Sequence, residues 1–289
     1  MEFIKEVDWM LGLNWSRVAT PSPELEIVER APDAGNGLPG LLFVHGAYAG
    51  AWCWEEHFLD HFAGQGFHCR AVSLRGHGAS GGQTALHDTG LNDYVQDVAT
   101  VVQGFSKPPV LIGHSMGGMV VQKYLETASV PAAVLLATVP HIGLGHSIAR
   151  LLLRDPWLLG QMGLMQAGLD RWMDLETASR AVFSPDLPAD LRARYAARMQ
   201  PESRRALAEM GFANLPNRHR MASLPPMLVL AAAEDALFEA RTLEQTARYY
   251  DADFVTLAGL AHAMMLERDW VRAADALNDW LQRNLQPVT

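Results

Sequence analysis

Short, unbroken runs of apolar residues, separated by segments of helical periodicity, constrain the fold of this chain more than any other feature. Such runs are typical of strands that are buried on both faces of a parallel sheet. A parallel strand requires a crossover, usually a helix, before the next strand. The alternation therefore predicts an α/β fold with a mostly parallel sheet and helices on both faces. The predicted strands are 25–29, 40–44, 68–74, 109–112, 132–137, 227–232 and 254–257.

The pattern changes between residues 141 and 216, where no strand-like run occurs and Leu, Met, Trp and Arg recur at helical spacing. We interpret this segment as a helical cap inserted into the core. The chain then divides into an N-terminal arm (1–20), a core formed by 21–140 and 217–289, and the cap (141–216). Seven methionines lie from residue 162 to residue 227, and their flexible apolar side chains suit a flexible apolar substrate.

The charge and hydropathy of the chain indicate which binding partners and which cellular location to expect for the protein. The 289 residues carry a formal net charge of −9, and because an acidic surface repels phosphate backbones, no nucleic-acid partner is expected. The sequence has neither an apolar run long enough for a membrane span nor the basic start of a secretory signal. We therefore expect a soluble cytoplasmic protein. Residues 1–20 show helical spacing of apolar side chains, which predicts either packing on the same chain or a homodimer contact.

The segment Gly113-His-Ser115-Met-Gly117 lies between a predicted strand and an apolar helix. A nucleophile on so tight a strand-to-helix turn needs small neighbours, because the backbone there approaches adjacent chain closely. The helix that begins at Ser115 supplies a positive dipole end and free N–H groups for a developing negative charge. The motif predicts Ser115 as a nucleophile; the alternative is a structural serine in a turn.

A serine hydroxyl requires a general base within hydrogen-bond reach. His262 follows the predicted strand 254–257 by five residues, and Asp235 lies just past the predicted strand 227–232. Ser115, Asp235 and His262 follow one another in the order serine, acid, histidine, which is the order that accompanies this motif. We expect His262 to act as the base and Asp235 to fix its tautomer and stabilise the imidazolium. Glu234 is an alternative acid, and His262 could instead be a loop histidine held by backbone contacts.

These segments resemble the α/β-hydrolase superfamily over nearly the whole chain except the arm and the cap. The cap-containing esterase, lipase-like and C–C-hydrolase branch is the most similar in appearance. The nucleophile motif matches fully, and Gly259-Leu-Ala-His262 matches the Gly-x-x-His pattern around the base. The acid-bearing strand departs from the usual Gly-x-x-Asp, because Ala232 stands in place of the glycine before Asp235. The resemblance implies an α/β-hydrolase fold with a helical cap inserted after the sixth core strand.

The resemblance also implies an oxyanion hole. His45-Gly46, after the first buried strand, resembles the oxyanion loop of the family, and the implied donors are the backbone N–H groups of Ala47 and Met116. We interpret the His45 side chain as a brace for this loop. The turn Arg75-Gly-His77-Gly78 resembles one common in the family, and we interpret it and the His114 side chain as structural.

Ester hydrolysis is the reaction that these residues predict first. Ser115 attacks the carbonyl of a small or medium apolar acyl substrate, and water guided by His262 then releases the acid. The same triad also serves C–C cleavage, lactone opening or cofactor-free haloperoxidase chemistry, because the pocket sets the bond that is cleaved. A catalytically silent receptor is the alternative outside enzymes.

The residue types at several other positions bear on the reaction, the cofactors and the substrate pocket. Serine at the nucleophile position argues against haloalkane dehalogenase and epoxide hydrolase chemistry, which use an aspartate there in this superfamily. The sequence shows no glycine-rich dinucleotide pattern and no metal-ligand spacing, so we predict neither a cofactor nor a metal. Trp52 and Trp54 either line the pocket or anchor the following helix. The cap arginines, which could hold a substrate carboxylate or lie on solvated faces, are Arg150, Arg154, Arg171 and Arg180.

Overall fold

The computed structural model describes residues 20–166 and 179–285. Within these residues seven strands form a single sheet in the order β1-β3-β2-β4-β5-β6-β7. They are β1 (Ile27–Arg30), β2 (Leu41–Val44), β3 (Cys69–Val72), β4 (Val110–His114), β5 (Ala133–Leu136), β6 (Met227–Ala232) and β7 (Asp253–Leu257). The predicted arm, apart from its last residue, lies outside the described part of the chain.

Strand β1 is antiparallel to β3 at one edge, and every other pair in the sheet is parallel. The prediction of a mostly parallel α/β sheet is confirmed. Since parallel strands end at the same edge of a sheet, the loops that follow β2, β4 and β6 come together there. These loops carry His45-Gly46, Ser115 and Asp235.

Helices cover both faces of the sheet. They are α1 (Trp52–Glu55), α2 (Phe58–Gly64), α3 (Leu91–Val102), α4 (Met116–Tyr124), α5 (Gly145–Arg154), α6 (Pro156–Gln166), α7 (Ala189–Ala196), α8 (Arg204–Ala208), α9 (Ala240–Tyr250) and α10 (Trp270–Asn284). Further helical turns lie at Gln83–Asp88, Glu209–Ala213 and Arg218–Arg220. None of the helices in the described ranges combines the length and apolar character of a membrane span.

The long segment between β5 and β6 contains helices α5 to α8 and no strand among its described residues. In the part of the chain that the structure describes, this insertion follows the fifth strand rather than a sixth. After β2, the two short helices α1 and α2 follow each other closely but are not continuous. The division falls at His57, whose φ of −146° leaves the helical range and whose ring stacks on Trp270 with 4.7 Å between centroids.

The central strands are buried on both faces, which explains their continuous apolar runs. Successive side chains of a strand point to opposite faces. Phe43 and Ile112 therefore pack on one side with α1, α2 and α10, and Val44 and Leu111 pack on the other with α3, α4 and α9. Every residue of β2, β4, β5 and β6 is buried.

We expect Ile112→Ala to lower the free energy of unfolding by about 2–5 kcal/mol, because it leaves a cavity in the middle of the sheet. Ile27, on the edge strand β1, is 42% exposed, so Ile27→Ala should cost less than about 1 kcal/mol. Urea denaturation of both variants measures the difference. Equal losses would contradict this description of the core.

Candidate active site

Ser115 occupies a strained turn between β4 and α4. Its φ of 51° and ψ of −117° place it in a region that residues with side chains rarely adopt. Hydrogen bonds hold the turn in place. The Ser115 N–H donates to the Leu136 carbonyl at 3.0 Å, and the Ser115 carbonyl accepts from the Val139 N–H at 3.0 Å. Strain of this kind persists where the surrounding structure enforces it, and it is concentrated at functional sites.

The two glycines of the motif are required by close backbone contacts. A Cβ added to Gly117 would lie 2.3 Å from the carbonyl oxygen of Val44, and one added to Gly113 would lie 2.4 Å from the carbonyl oxygen of Gly117. Both distances are far below van der Waals contact, and the contacted atoms belong to backbone that cannot rotate away. The packing of α4 against β2 and β4 therefore requires small residues on both sides of Ser115.

His262 and Asp235 are joined by a buried hydrogen bond. The His262 Nδ1–H donates to Asp235 Oδ2 at 2.8 Å. The second oxygen of Asp235 accepts the backbone N–H groups of Leu237 and Phe238, at 2.7 and 3.0 Å, while Glu234 next to it is exposed. Because a carboxylate only accepts, the proton of a neutral His262 lies on Nδ1, and Nε2 keeps the lone pair that could accept a proton.

His114 connects the serine turn to the loop that carries His262. The His114 Nε2–H donates to the backbone carbonyl of His262 at 3.0 Å, and the two rings lie 4.7 Å apart between centroids. Burial, together with the neighbouring His262, holds the pKa of His114 well below the usual histidine value. His114 is therefore neutral and acts as a fixed donor. Phe238 packs edge-on against the ring of His262 at 5.4 Å.

The loop after β2 lies directly against the serine turn. A Cβ on Gly46 would be 2.9 Å from Cβ of Ser115. The His45 Nε2 accepts the backbone N–H of Leu74 at 3.0 Å, and its Nδ1 lies 2.7 Å from the Gly46 carbonyl oxygen. Burial, with a smaller contribution from the nearby His77, lowers the pKa of His45 to about 3. A neutral ring that accepts at Nε2 must carry its proton on Nδ1, so it donates to Gly46 and fixes that carbonyl.

That contact also sets the direction of the Ala47 N–H. The Gly46 carbonyl and the Ala47 N–H belong to one trans peptide and point in opposite directions. Since the carbonyl faces the His45 ring, the N–H faces away from it. Met116, the other expected donor, is the first residue of α4, where backbone N–H groups have no partner within the helix.

The remaining sequence candidates lie outside this arrangement or at its border. Trp54 is fully buried and packs on Phe43 at 5.1 Å, which makes it part of the core. Trp52 stacks on Tyr195 of α7 at 6.1 Å.

Two of the arginines considered for a substrate carboxylate lie near one carboxylate of the protein itself. Arg150 and Arg154 lie 3.6 and 3.2 Å from Glu239, and Arg171 lies outside the described residues.

Sequence reasoning missed several residues that link the segment between β5 and β6 to this site, above all Gln200 and Glu202. Glu202 is fully buried between His77 and Tyr94, and more than 100 positions of sequence separate it from either partner. No periodicity or motif in the sequence pointed to these contacts. Among residues 20–166 and 179–285, no group of three or more His, Cys, Asp or Glu side chains is placed to hold a metal ion.

The model of the alpha/beta hydrolase family matches residues 41–276. The chain belongs to this family. It is also 25% identical over 262 residues to the monoacylglycerol lipase of Mycolicibacterium smegmatis, an alignment that covers 86% of this chain and 89% of that protein. The superfamily expected from the motifs is thereby confirmed.

Solved structures agree on the fold. The monoacylglycerol lipase of Paleococcus ferrophilus superposes with a TM-score of 0.66 at 20% identity, over 89% of this chain and 98% of that one. A bromoperoxidase from Bacillus anthracis superposes with a TM-score of 0.71 at 18% identity, over 89% and 96%. Proteins with different named activities thus share this architecture, and at these identities the likeness concerns the fold alone.

The glycine contacts generate a stability test. Gly117→Ala should lower the free energy of unfolding by about 2–3 kcal/mol or more, because its Cβ overlaps fixed backbone. Gly160→Ala is the matched control: it lies in α6, where an added Cβ meets nothing within 4 Å, and should stabilise by about 0.4–1 kcal/mol. Thermal and urea unfolding of the two variants provide the measurement. A Gly117→Ala protein as stable as wild type would contradict the described turn.

Proposed function

We propose that this protein is a serine ester hydrolase in which Ser115 is the nucleophile, His262 the general base and Asp235 the acid that orients the base. The observation that carries the proposal is the buried His262–Asp235 hydrogen bond, formed beside the strained turn of Ser115. Membership of the hydrolase family supports it. So does the similarity to a protein named monoacylglycerol lipase.

Acylation follows from the tautomer of His262. Nε2 takes the proton of the Ser115 hydroxyl while Oγ forms a bond to the carbonyl carbon of the ester. The carbonyl π electrons move to oxygen, and the resulting oxyanion is held by the N–H groups of Ala47 and Met116. When the carbon–oxygen bond to the alcohol breaks, the imidazolium returns its proton to the leaving alkoxide. An acyl-serine and a free alcohol result.

Deacylation repeats these steps with water. His262 takes a proton from water as the water oxygen attacks the acyl carbon, and Ser115 recovers its proton when the acid departs. Asp235 stabilises the imidazolium in both halves of the reaction. Its carboxylate is held in place for this role because two backbone N–H groups also donate to it.

The substrate we propose carries a small or medium apolar acyl group, covered by a cap formed from residues 141–216. The insertion of helices α5 to α8 between β5 and β6 is the observation that supports the proposal of a cap. The names of the two monoacylglycerol lipases favour an ester as the substrate. C–C cleavage, lactone opening and haloperoxidase chemistry would use the same three residues, so the choice of substrate in the assay distinguishes them.

We expect wild type to hydrolyse p-nitrophenyl esters and Ser115→Ala to lose at least about 10³-fold in kcat, because no other group replaces the nucleophile. Ser106→Ala, at an exposed position, should behave as wild type. Nitrophenolate release over a series of acyl lengths provides the measurement and sizes the pocket. Hydrolysis that survives Ser115→Ala would refute the proposal. Lactones and C–C substrates come next if no ester is hydrolysed.

Asp235→Asn tests the role of the acid. The Asn oxygen can keep the bonds from Leu237 and Phe238, which directs its NH₂ toward Nδ1 of His262. That nitrogen must then accept, so the ring proton moves to Nε2 and the base cannot take the proton of serine. We expect kcat to fall about 10⁴-fold with the fold retained.

The matched control is Glu234→Gln, at the exposed neighbouring position, for which kcat should stay within about twofold of wild type. Steady-state kinetics on the same ester measures both variants. A large loss of kcat in Glu234→Gln, with kcat unchanged in Asp235→Asn, would show that Glu234 and not Asp235 is the acid.

A further inference from the structure

The cap contacts the oxyanion loop through a short segment, residues 200–203, which we call the clamp. It lies between α7 and α8. The backbone N–H of Gln200 donates to the carbonyl of Tyr48 at 3.0 Å. The Gln200 side chain bridges the turn Arg75–Gly78: its Nε2–H donates to the Gly76 carbonyl at 2.7 Å, and its Oε1 accepts the Gly78 N–H at 2.8 Å. One cap residue therefore connects the turn to the loop that follows β2.

The loop residue held by Gln200 has a strained backbone. Tyr48 has a φ of 65°, in the left-handed region that bulky residues avoid. It immediately follows Ala47, whose N–H is a proposed oxyanion donor. A strained conformation persists only when its surroundings enforce it. The bond from Gln200 to the Tyr48 carbonyl is a contact from outside the loop that opposes relaxation of this backbone.

Glu202 of the clamp acts on the same loop from its other end. Its carboxylate is fully buried, accepts the Tyr94 hydroxyl at 2.6 Å and lies 3.0 Å from Nε2 of His77. Burial opposes the charge on His77, but the Glu202 carboxylate outweighs it and raises the pKa of His77. The His77 ring packs on His45, with 5.0 Å between centroids. His45 in turn fixes the Gly46 carbonyl.

The turn that the clamp grips is itself rigidly supported. The Arg75 N–H and guanidinium both donate to the buried carboxylate of Asp97, at 2.9 and 2.7 Å. Because the turn is anchored to α3 in this way, it provides a fixed base from which Gln200 can hold Tyr48. The clamp thus contacts Tyr48 on one side of the peptide that carries the Ala47 N–H, and it reaches Gly46 on the other side through His77 and His45.

We propose that Gln200 and Glu202 are positioning residues for the oxyanion hole, which hold Gly46–Tyr48 so that the Ala47 N–H meets the carbonyl oxygen of the substrate. The proposal rests on the serine hydrolase function given above. It makes the cap a part of the catalytic geometry as well as a cover for the site. A merely structural clamp would affect stability and leave the chemistry of the folded enzyme unchanged.

The expected change in kcat and KM depends on the stage of the reaction at which the Ala47 N–H binds the substrate oxygen most strongly. An oxyanion donor acts mainly in the transition state, so its displacement lowers kcat and leaves KM nearly unchanged. Complete loss of such a donor costs about 10²–10³-fold. A donor that is displaced but still present should cost less, on the order of 10–100-fold.

The first experiment uses Gln200→Met, which removes both side-chain bonds to the turn Arg75–Gly78 and so leaves the backbone bond to Tyr48 without its anchor. The control is Gln245→Met, the same substitution at an exposed position of α9. At a temperature where both are folded, we expect Gln200→Met to lose about 10–100-fold in kcat on a p-nitrophenyl ester with KM within about threefold. Gln245→Met should match wild type. An unchanged kcat in folded Gln200→Met, or a rise in KM alone, would overturn the proposal.

Glu202 gives a second test with a conservative rescue. Glu202→Ala should lower kcat by a similar factor, whereas Glu202→Gln keeps an acceptor for Tyr94 and a donor toward a neutral His77. We expect kcat of Glu202→Gln to be at least about threefold above that of Glu202→Ala. Equal values for the two variants would argue against positioning through His77.

Hydrogen exchange measures the same coupling without any substrate. In Gln200→Met, amides of residues 45–50 should exchange faster than in wild type, while those of β3 and β7 should be unchanged. Uniform acceleration, or none, would overturn the proposal. This readout also separates the two claims: if wild type hydrolyses no ester, the proposed function fails, and the exchange result still decides whether the clamp holds the loop.

Discussion

The left-handed backbone at Ser115 is the constraint on which the rest of the site depends. A residue with a side chain adopts φ 51° only if its surroundings enforce it, and here the enforcement comes from the sheet. Hydrogen bonds tie Ser115 to the last residue of β5 and to the chain that follows it, and Gly113 and Gly117 let α4 pack directly on the backbone of β2. The parallel sheet thereby fixes both the serine and the N-terminus of the helix behind it.

The electrostatics of the site depend on three buried histidines that have different hydrogen-bond partners. His45 and His114 are desolvated and neutral, and each acts as a fixed donor to a backbone carbonyl. His262 alone faces a carboxylate within the site. Because His45 and His114 carry no positive charge, no charge on either ring opposes the formation of an imidazolium on His262, which Asp235 stabilises. These partners agree with the roles in the proposed mechanism, in which His262 is the base and His45 and His114 hold backbone carbonyls in place.

Much of the fold was readable from the sequence because its central strands are buried on both faces and their apolar runs are continuous. Strand β4 was predicted to end at Ile112, yet it continues through His114, which pairs with Leu136. A Gly-His pair carries no apolar signal, so backbone pairing decides that boundary. Helix α9 was not predicted, although Leu243, Ala247 and Tyr250 follow helical spacing, because threonines share its buried face.

The candidate site residues were predicted for a different reason: each lies directly after a strand, where the fold concentrates chemistry. The clamp could not be found in this way. Its Glu202 lies against His77 across 125 positions of sequence, and only the packing of the segment between β5 and β6 on the rest of the chain brings the two together. Local motifs thus pointed to the proposed reacting groups, while the proposed positioning residues depend on tertiary contacts that no motif predicts.

The most direct test of the central claim is to label the protein with a fluorophosphonate and map the modified residue by mass spectrometry. A fluorophosphonate bonds covalently to an activated serine, so the account predicts one label per chain, on the peptide that contains Ser115, and none in Ser115→Ala. A label on a different serine, or no label on an enzyme that hydrolyses esters, would contradict it.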